Sequence, residues 1–119
     1  PAGEARARAL DALLRDAGVR AIYVTELQRT AQTAAPLAKR LGIAPTVVPR
    51  AEGKGLPARA RREHPDDVIL VVGHSDTLPV LLQAFGLREP PPIAHGEYDG
   101  VFLLVPRPPG PPVFLRLRY

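Results

Sequence analysis

The chain contains no cysteine and no methionine in its 119 residues. Without cysteine there is no disulfide, no thiolate nucleophile and no sulfur ligand. Only His64, His74 and His95 offer ring nitrogens, a poor set for a typical zinc site. Lysine is scarce as well: Lys39 and Lys54 are the whole set, so the formal net charge of +4 rests on arginine. Basic charge favours anionic partners. The arginines are scattered, however, except for Arg59, Arg61 and Arg62, and Glu63, Asp66 and Asp67 follow that group at once. This is not the pattern of a nucleic-acid arm, and no nucleic-acid partner is expected. No apolar run is long enough to cross a bilayer, so no membrane partner is expected either. No secretory signal pattern is visible. With Pro1 first and no methionine, the expectation is a segment of a longer protein.

What is present suffices for a packed core. The hydrophobic fraction is 45%, and the charged fraction of 24% is ordinary for a soluble protein, so residues 1–119 are read as one domain. Residues 3–17 carry Ala9, Leu10, Leu13, Leu14 and Ala17 at helical spacing, with Gly18 as the stop. AIYV, residues 21–24, is a short strand. A second helix is expected from Leu27 or Gln28 to Gly42, with Ala31, Ala34, Ala35, Ala38 and Leu41 on its apolar face. Pro36 inside it predicts a kink or a break. TVV, residues 46–48, reads as a strand, 49–57 as a loop and 57–64 as a short polar helix. VILVV, residues 68–72, reads as a buried parallel strand. A helix over 78–86 follows, with Pro79 in its first turn. VFLLV, residues 101–105, and VFLRLRY, residues 113–119, flank PRPPGPP and predict a C-terminal hairpin at one edge of the sheet. PRPPGPP also holds a PxxP pattern of the kind SH3 domains bind; the plainer reading is a rigid hairpin loop. The alternation of helices and strands predicts an α/β fold: a three-layer α/β/α sandwich with a mostly parallel sheet.

Chemistry concentrates in two places. VVGHSDTLPVLLQAFG, residues 71–86, delivers His74 from a strand towards a helix, where unpaired N–H groups favour an anion. A histidine there can donate a hydrogen bond or move a proton near neutral pH. The alternative is that His74 caps the helix; Thr77 is a second candidate for that cap. TELQRTAQTA, residues 25–34, places Arg29 in the first turns of a helix, where its guanidinium can fork onto a phosphate or simply stay solvated. Thr25 is expected to cap that helix, with Gln32 and Thr33 nearby. Thr25 and His74 both end a strand, on the rim where ligands of parallel sheets bind.

The pair IYVTELQRTAQTAAPLAKRLG and VILVVGHSDTLPVLL resembles the histidine phosphatase superfamily, the phosphoglycerate mutase-like family. Members show a strand, a Ser or Thr, then Leu-x-Arg-Ala-x-Gln-Thr-Ala, and later a strand ending in Gly-His-Ser or Gly-His-Gly. PAGEARARALDALL and EYDGVFLLV are similar to the family's flanking helix and last strands. The resemblance implies that Arg29 is the second phosphate-binding arginine and His74 the second histidine, both stabilising charge on a phosphoryl group. Thr25 and Ser75 are implied as supporting phosphate-binding groups. Asp76, Glu52 and Glu97 are the candidates for the general acid, while His64 and His95 are read as solvated or structural.

One motif of the family is not in the sequence. Its signature Arg-His-Gly or Arg-His-Ala, which carries the nucleophilic histidine, occurs nowhere in these residues. The expectation is that this triplet and the central strand bearing it lie before Pro1. The alternative is an inactive phosphate-binding or protein-interaction module of the same fold. The implied activity is hydrolysis of a small phosphomonoester or a phosphohistidine protein through a phosphohistidine intermediate, with a phosphatase favoured over a mutase. No metal and no cofactor are expected. A phosphate or sulfate ion is expected in the pocket. If these residues are the whole polypeptide, a sheet lacking its central strand has open edges, which predicts a homodimer or poor stability. The expected compartment is the cytoplasm, any targeting segment then preceding Pro1.

Overall fold

Helix α1, Ala2–Leu14, opens the chain in the computed structural model, which describes residues 2–93, 100–107 and 110–118. Glu4 in its first turn complements the helix dipole. The helix ends three residues before the expected boundary. The Ala17 N–H donates to the Leu14 carbonyl at 3.1 Å, and Gly18 turns the chain at φ 76°. By contact pattern the chain divides into two units, Pro1–Gly73 and His74–Tyr119.

In the first unit, α1 is followed by strand β1, Val19–Val24, helix α2, Gln28–Leu41, and strand β2, Thr46–Val47. A 3-10 helix, Arg50–Gly55, then leads into helix α3, Leu56–Glu63, and strand β3, Val68–Val71. The sheet order is β2-β1-β3 and both pairings are parallel. The Val72 N–H donates to the Tyr23 carbonyl and the Val48 N–H to the Val24 carbonyl, which carries each ladder one residue past its strand. β1 is the central strand and is buried at every position except Arg20. β3 differs from expectation: it is half-buried, with Val68 exposed, because it forms an edge of this sheet among the described residues.

The core joins Val19, Ile22 and Val24 of β1 to Ala34, Leu37 and Ala38 of α2. The buried stripe of α2 is Thr30, Ala34, Leu37 and Ala38. Ala31 and Ala35, expected on the apolar face, are exposed. The helix rotates to sink Leu37, whose larger side chain gains more from burial than an alanine does. Pro36 does not break α2, which is continuous through it. Gly42 closes the helix at φ 68°, and the Ile43 N–H reaches back to the Ala38 carbonyl. Arg40 grips Asp11 of α1 with two charge-assisted bonds, Nε to Oδ1 at 2.7 Å and Nη2 to Oδ2 at 2.8 Å. The guanidinium holds the Asp11 carboxyl below its ordinary value.

In the second unit, helix α4, Leu78–Ala84, has Pro79 in its opening turn and ends through Gly86 at φ 112°. Strands β4, Gly100–Arg107, and β5, Gly110–Arg118, pair antiparallel with each other in a two-stranded sheet. Phe102 and Phe114 stack at 6.0 Å between centroids, and the Arg116 guanidinium lies 5.3 Å from the Phe102 ring centre. The strands take in most of PRPPGPP, which had been read as loop; residues 108–109 lie outside the described residues. No helix among the described residues is long and apolar enough to cross a membrane.

Candidate functional site

The carboxyl end of β1 is organised around Thr30. The Thr25 N–H donates to Thr30 Oγ1 at 3.0 Å, and the Thr30 hydroxyl lies 2.8 Å from the Leu27 carbonyl. It is also 3.2 Å from the Thr25 hydroxyl, and Thr25 Oγ1 accepts from the Leu27 N–H at 3.2 Å. Thr25 therefore does not cap α2. Leu27 occupies the cap position without a side-chain bond, and Thr25 fixes the loop ahead of it. Sequence reasoning missed Thr30. A threonine on the inward stripe of a helix, five residues after a strand-ending threonine, is the signal that marks it.

Arg29 is the second residue of α2 and is exposed. Its carbonyl accepts from the Thr33 hydroxyl at 2.9 Å, a bond one helical turn long. Gln32 is exposed on the same helix. Between Thr25 and Arg29, Glu26 reaches across to the start of the 3-10 helix. Its Oε1 accepts from the Arg50 N–H at 3.0 Å and its Oε2 from Arg50 Nε at 3.3 Å. The Arg50 backbone N–H, foremost, keeps the Glu26 carboxyl below its ordinary value. The loop between β1 and α2, just ahead of Arg29, is thus tied to the segment bearing Glu52.

Glu52 lies on a groove of about 390 Å³ shared with Val48, Gly55, Leu56, Arg59 and Arg62. Val48 and Leu56 are buried and form its apolar part. Arg59 Nε contacts both oxygens of Glu63, at 3.3 and 3.2 Å. Glu63 also accepts from the Tyr23 hydroxyl at 2.9 Å. That bond, more than the arginine, draws the Glu63 carboxyl below its ordinary value. Burial, then Glu63, pushes the Tyr23 phenol up. His64 Nδ1 is 2.9 Å from Asp67 Oδ2, and the His64 ring meets Tyr23 edge-on at 6.4 Å.

His74 opens the second unit, and it is buried. Its N–H donates to Thr77 Oγ1 at 3.1 Å, and its carbonyl accepts from the N–H groups of Thr77 and Leu78 at 3.0 and 2.8 Å. This turn delays the helix, which starts at Leu78, so His74 stands ahead of α4, not in its first turn. Thr77 holds the cap position, but its hydroxyl bonds back to His74 and caps nothing. Ser75 is half-buried and Asp76 exposed in the same turn. Glu97 and His95 lie outside the described residues.

No curated protein and no solved structure matches the chain. Residues 1–52 match the family model of the histidine phosphatase superfamily (branch 1), and the chain is similar to that superfamily over the segment that carries Thr25, Arg29 and Glu52.

Proposed function

We propose that this chain contributes the phosphate-recognition elements of a histidine-type phosphatase. Its substrate is a small phosphomonoester or a phosphohistidine protein. The observation that carries the reading is the family match over residues 1–52, which includes the strand end and helix start bearing Thr25 and Arg29. Arg29 supplies a fork of N–H donors for two phosphoryl oxygens. His74, on the strength of the same family resemblance, has the role of stabilising the charge that builds in transfer. Thr25 and Ser75 support these two groups. Glu52 is the preferred general acid, since Glu26 and Arg50 tie its segment to the loop just ahead of Arg29.

In the chemical step an imidazole nitrogen attacks phosphorus. The bond from phosphorus to the leaving oxygen breaks, and that oxygen takes a proton from the acid. Water then cleaves the phosphorus–nitrogen bond. The attacking imidazole belongs to an Arg-His-Gly or Arg-His-Ala triplet that these 119 residues do not contain. The alternative reading is an anion-binding or protein-interaction module of the same fold that performs no turnover.

The test is 4-nitrophenyl phosphate hydrolysis by the natural full-length polypeptide and its Arg29→Ala and His74→Ala variants. Each variant is expected to lose about 10²–10³ in kcat. Unchanged turnover in either variant removes that residue from the site. Saturable phosphate binding with no turnover in the parent protein selects the alternative reading.

A further inference from the structure

We infer that the groove at the end of β2 receives a small organic anion, its carboxylate or phosphate head held by Arg59 and Arg62 and its short apolar body seated on Val48 and Leu56. Position is the first argument. Val48 follows β2 directly, and its N–H bonds the Val24 carbonyl at 2.7 Å, so the groove opens on the carboxyl rim of the parallel sheet, one strand from Thr25. That rim is where open α/β sheets bind ligands. Size is the second: about 390 Å³ falls among small-molecule clefts, which span roughly 300–1,000 Å³.

Charge is the third argument. The groove's own lining carries two arginines, Arg59 and Arg62, against the one acid Glu52, with Arg59 also paired to Glu63. Arg59 and Arg62 stand three residues apart on α3, hence on one face of that helix. The Tyr23 hydroxyl fixes Glu63, and Glu63 fixes Arg59 through Nε. Both contacts with Glu63 use that one nitrogen, while the paired Nη groups carry the other four N–H donors of a guanidinium. Glu63 is in this sense a positioning residue for Arg59. The inference rests on the proposed phosphatase reading only in making this anion the part of the substrate remote from the transferred phosphoryl group.

The test is a titration of the ¹⁵N-labelled chain with benzoate, phenylphosphonate and the neutral isostere benzamide. Benzoate and phenylphosphonate are expected to shift the amides of Glu52, Gly55, Leu56 and Arg59 saturably, and their ratio tells which anionic head the groove prefers. Benzamide should bind at least tenfold more weakly. Arg59→Gln combined with Arg62→Gln should weaken both anions tenfold or more. Arg29→Ala should leave groove binding within twofold, even where it abolishes turnover, so the two readings fail separately. Benzamide binding as tightly as benzoate overturns the inference without any variant. So does an unweakened Gln double variant, or the absence of saturable shifts at those amides.

Discussion

The Thr25 N–H is satisfied by the hydroxyl of Thr30, 3.0 Å away and almost fully buried on α2. One oxygen therefore holds the strand end, while its proton serves the Leu27 carbonyl at 2.8 Å. Thr30→Val keeps the shape and removes both bonds. Leaving the partner groups unpaired should cost about 1–3 kcal/mol in urea unfolding. Phosphate affinity should fall as well, because the loop ahead of Arg29 loses its anchor. A Thr30→Val protein with wild-type stability and wild-type exchange of the Thr25 amide would show that the hydroxyl organises nothing.

Leu37 is fully buried between α2 and β1, with Ile22, Val24 and Ala34 in the same cluster. Leu37→Ala should cost about 2–5 kcal/mol, through lost transfer energy and a residual cavity. Ala35→Ser, on the exposed face of the same helix, should change stability by less than about 0.5 kcal/mol. Equal costs at the two positions would mean that α2 packs in the orientation its alanine spacing suggests.

That alternative orientation shows where the sequence was legible. Strand and α-helix positions through Val72 follow from apolar periodicity and from Gly18 and Gly42 with their positive φ, whereas the 3-10 helix Arg50–Gly55 falls where the sequence reads as loop. The face of α2 did not follow from periodicity, because alanine is small enough to sit on either side and a single leucine decides the rotation. The motif around Thr25 and Arg29 lies within the segment that matches the family model. The roles of Thr30, Glu26 and the Tyr23–Glu63–Arg59 chain were not readable, since each joins residues through folding, not through spacing. Tyr23 and Glu63 are separated by 40 positions. The strand assignment of PRPPGPP was missed for a related reason. Proline marks a turn by local preference, whereas pairing across the ladder from Gly100 to Arg107 is a property of two segments together.

Asp11 and Arg40 set an acid-side dependence. The Asp11 carboxyl is held below its ordinary value by the Arg40 hydrogen bonds. Its contribution to stability is therefore present above the unfolded carboxyl value of about 3.9 and is lost as pH falls through the lower folded value. Asp11→Asn should lower the urea midpoint at pH 7, and the gap to the wild type should close towards pH 3. A gap that stays constant from pH 7 to pH 3 would mean the pair contributes packing alone.

Tyr23 sets the opposite arm. Its phenol is pushed above its ordinary value by burial and by the bond to Glu63. The folded state then holds the proton more tightly than the unfolded chain. Its contribution is complete below the unfolded value of about 10 and is lost as pH rises from there through the folded value. Tyr23→Phe should cost about 0.5–1.5 kcal/mol at pH 8, the net worth of the hydrogen bond. Phenylalanine does not titrate, so the difference between the two proteins should shrink between pH 10 and 11 in urea unfolding. The variant should also loosen Arg59, whose contact with Glu63 loses its support. Benzoate binding in the groove should then weaken a few-fold at pH 8 while the helix stays folded. A difference between the proteins that widens above pH 10 would contradict the assigned direction of the Tyr23 shift, and unchanged benzoate affinity would separate Tyr23 from the groove.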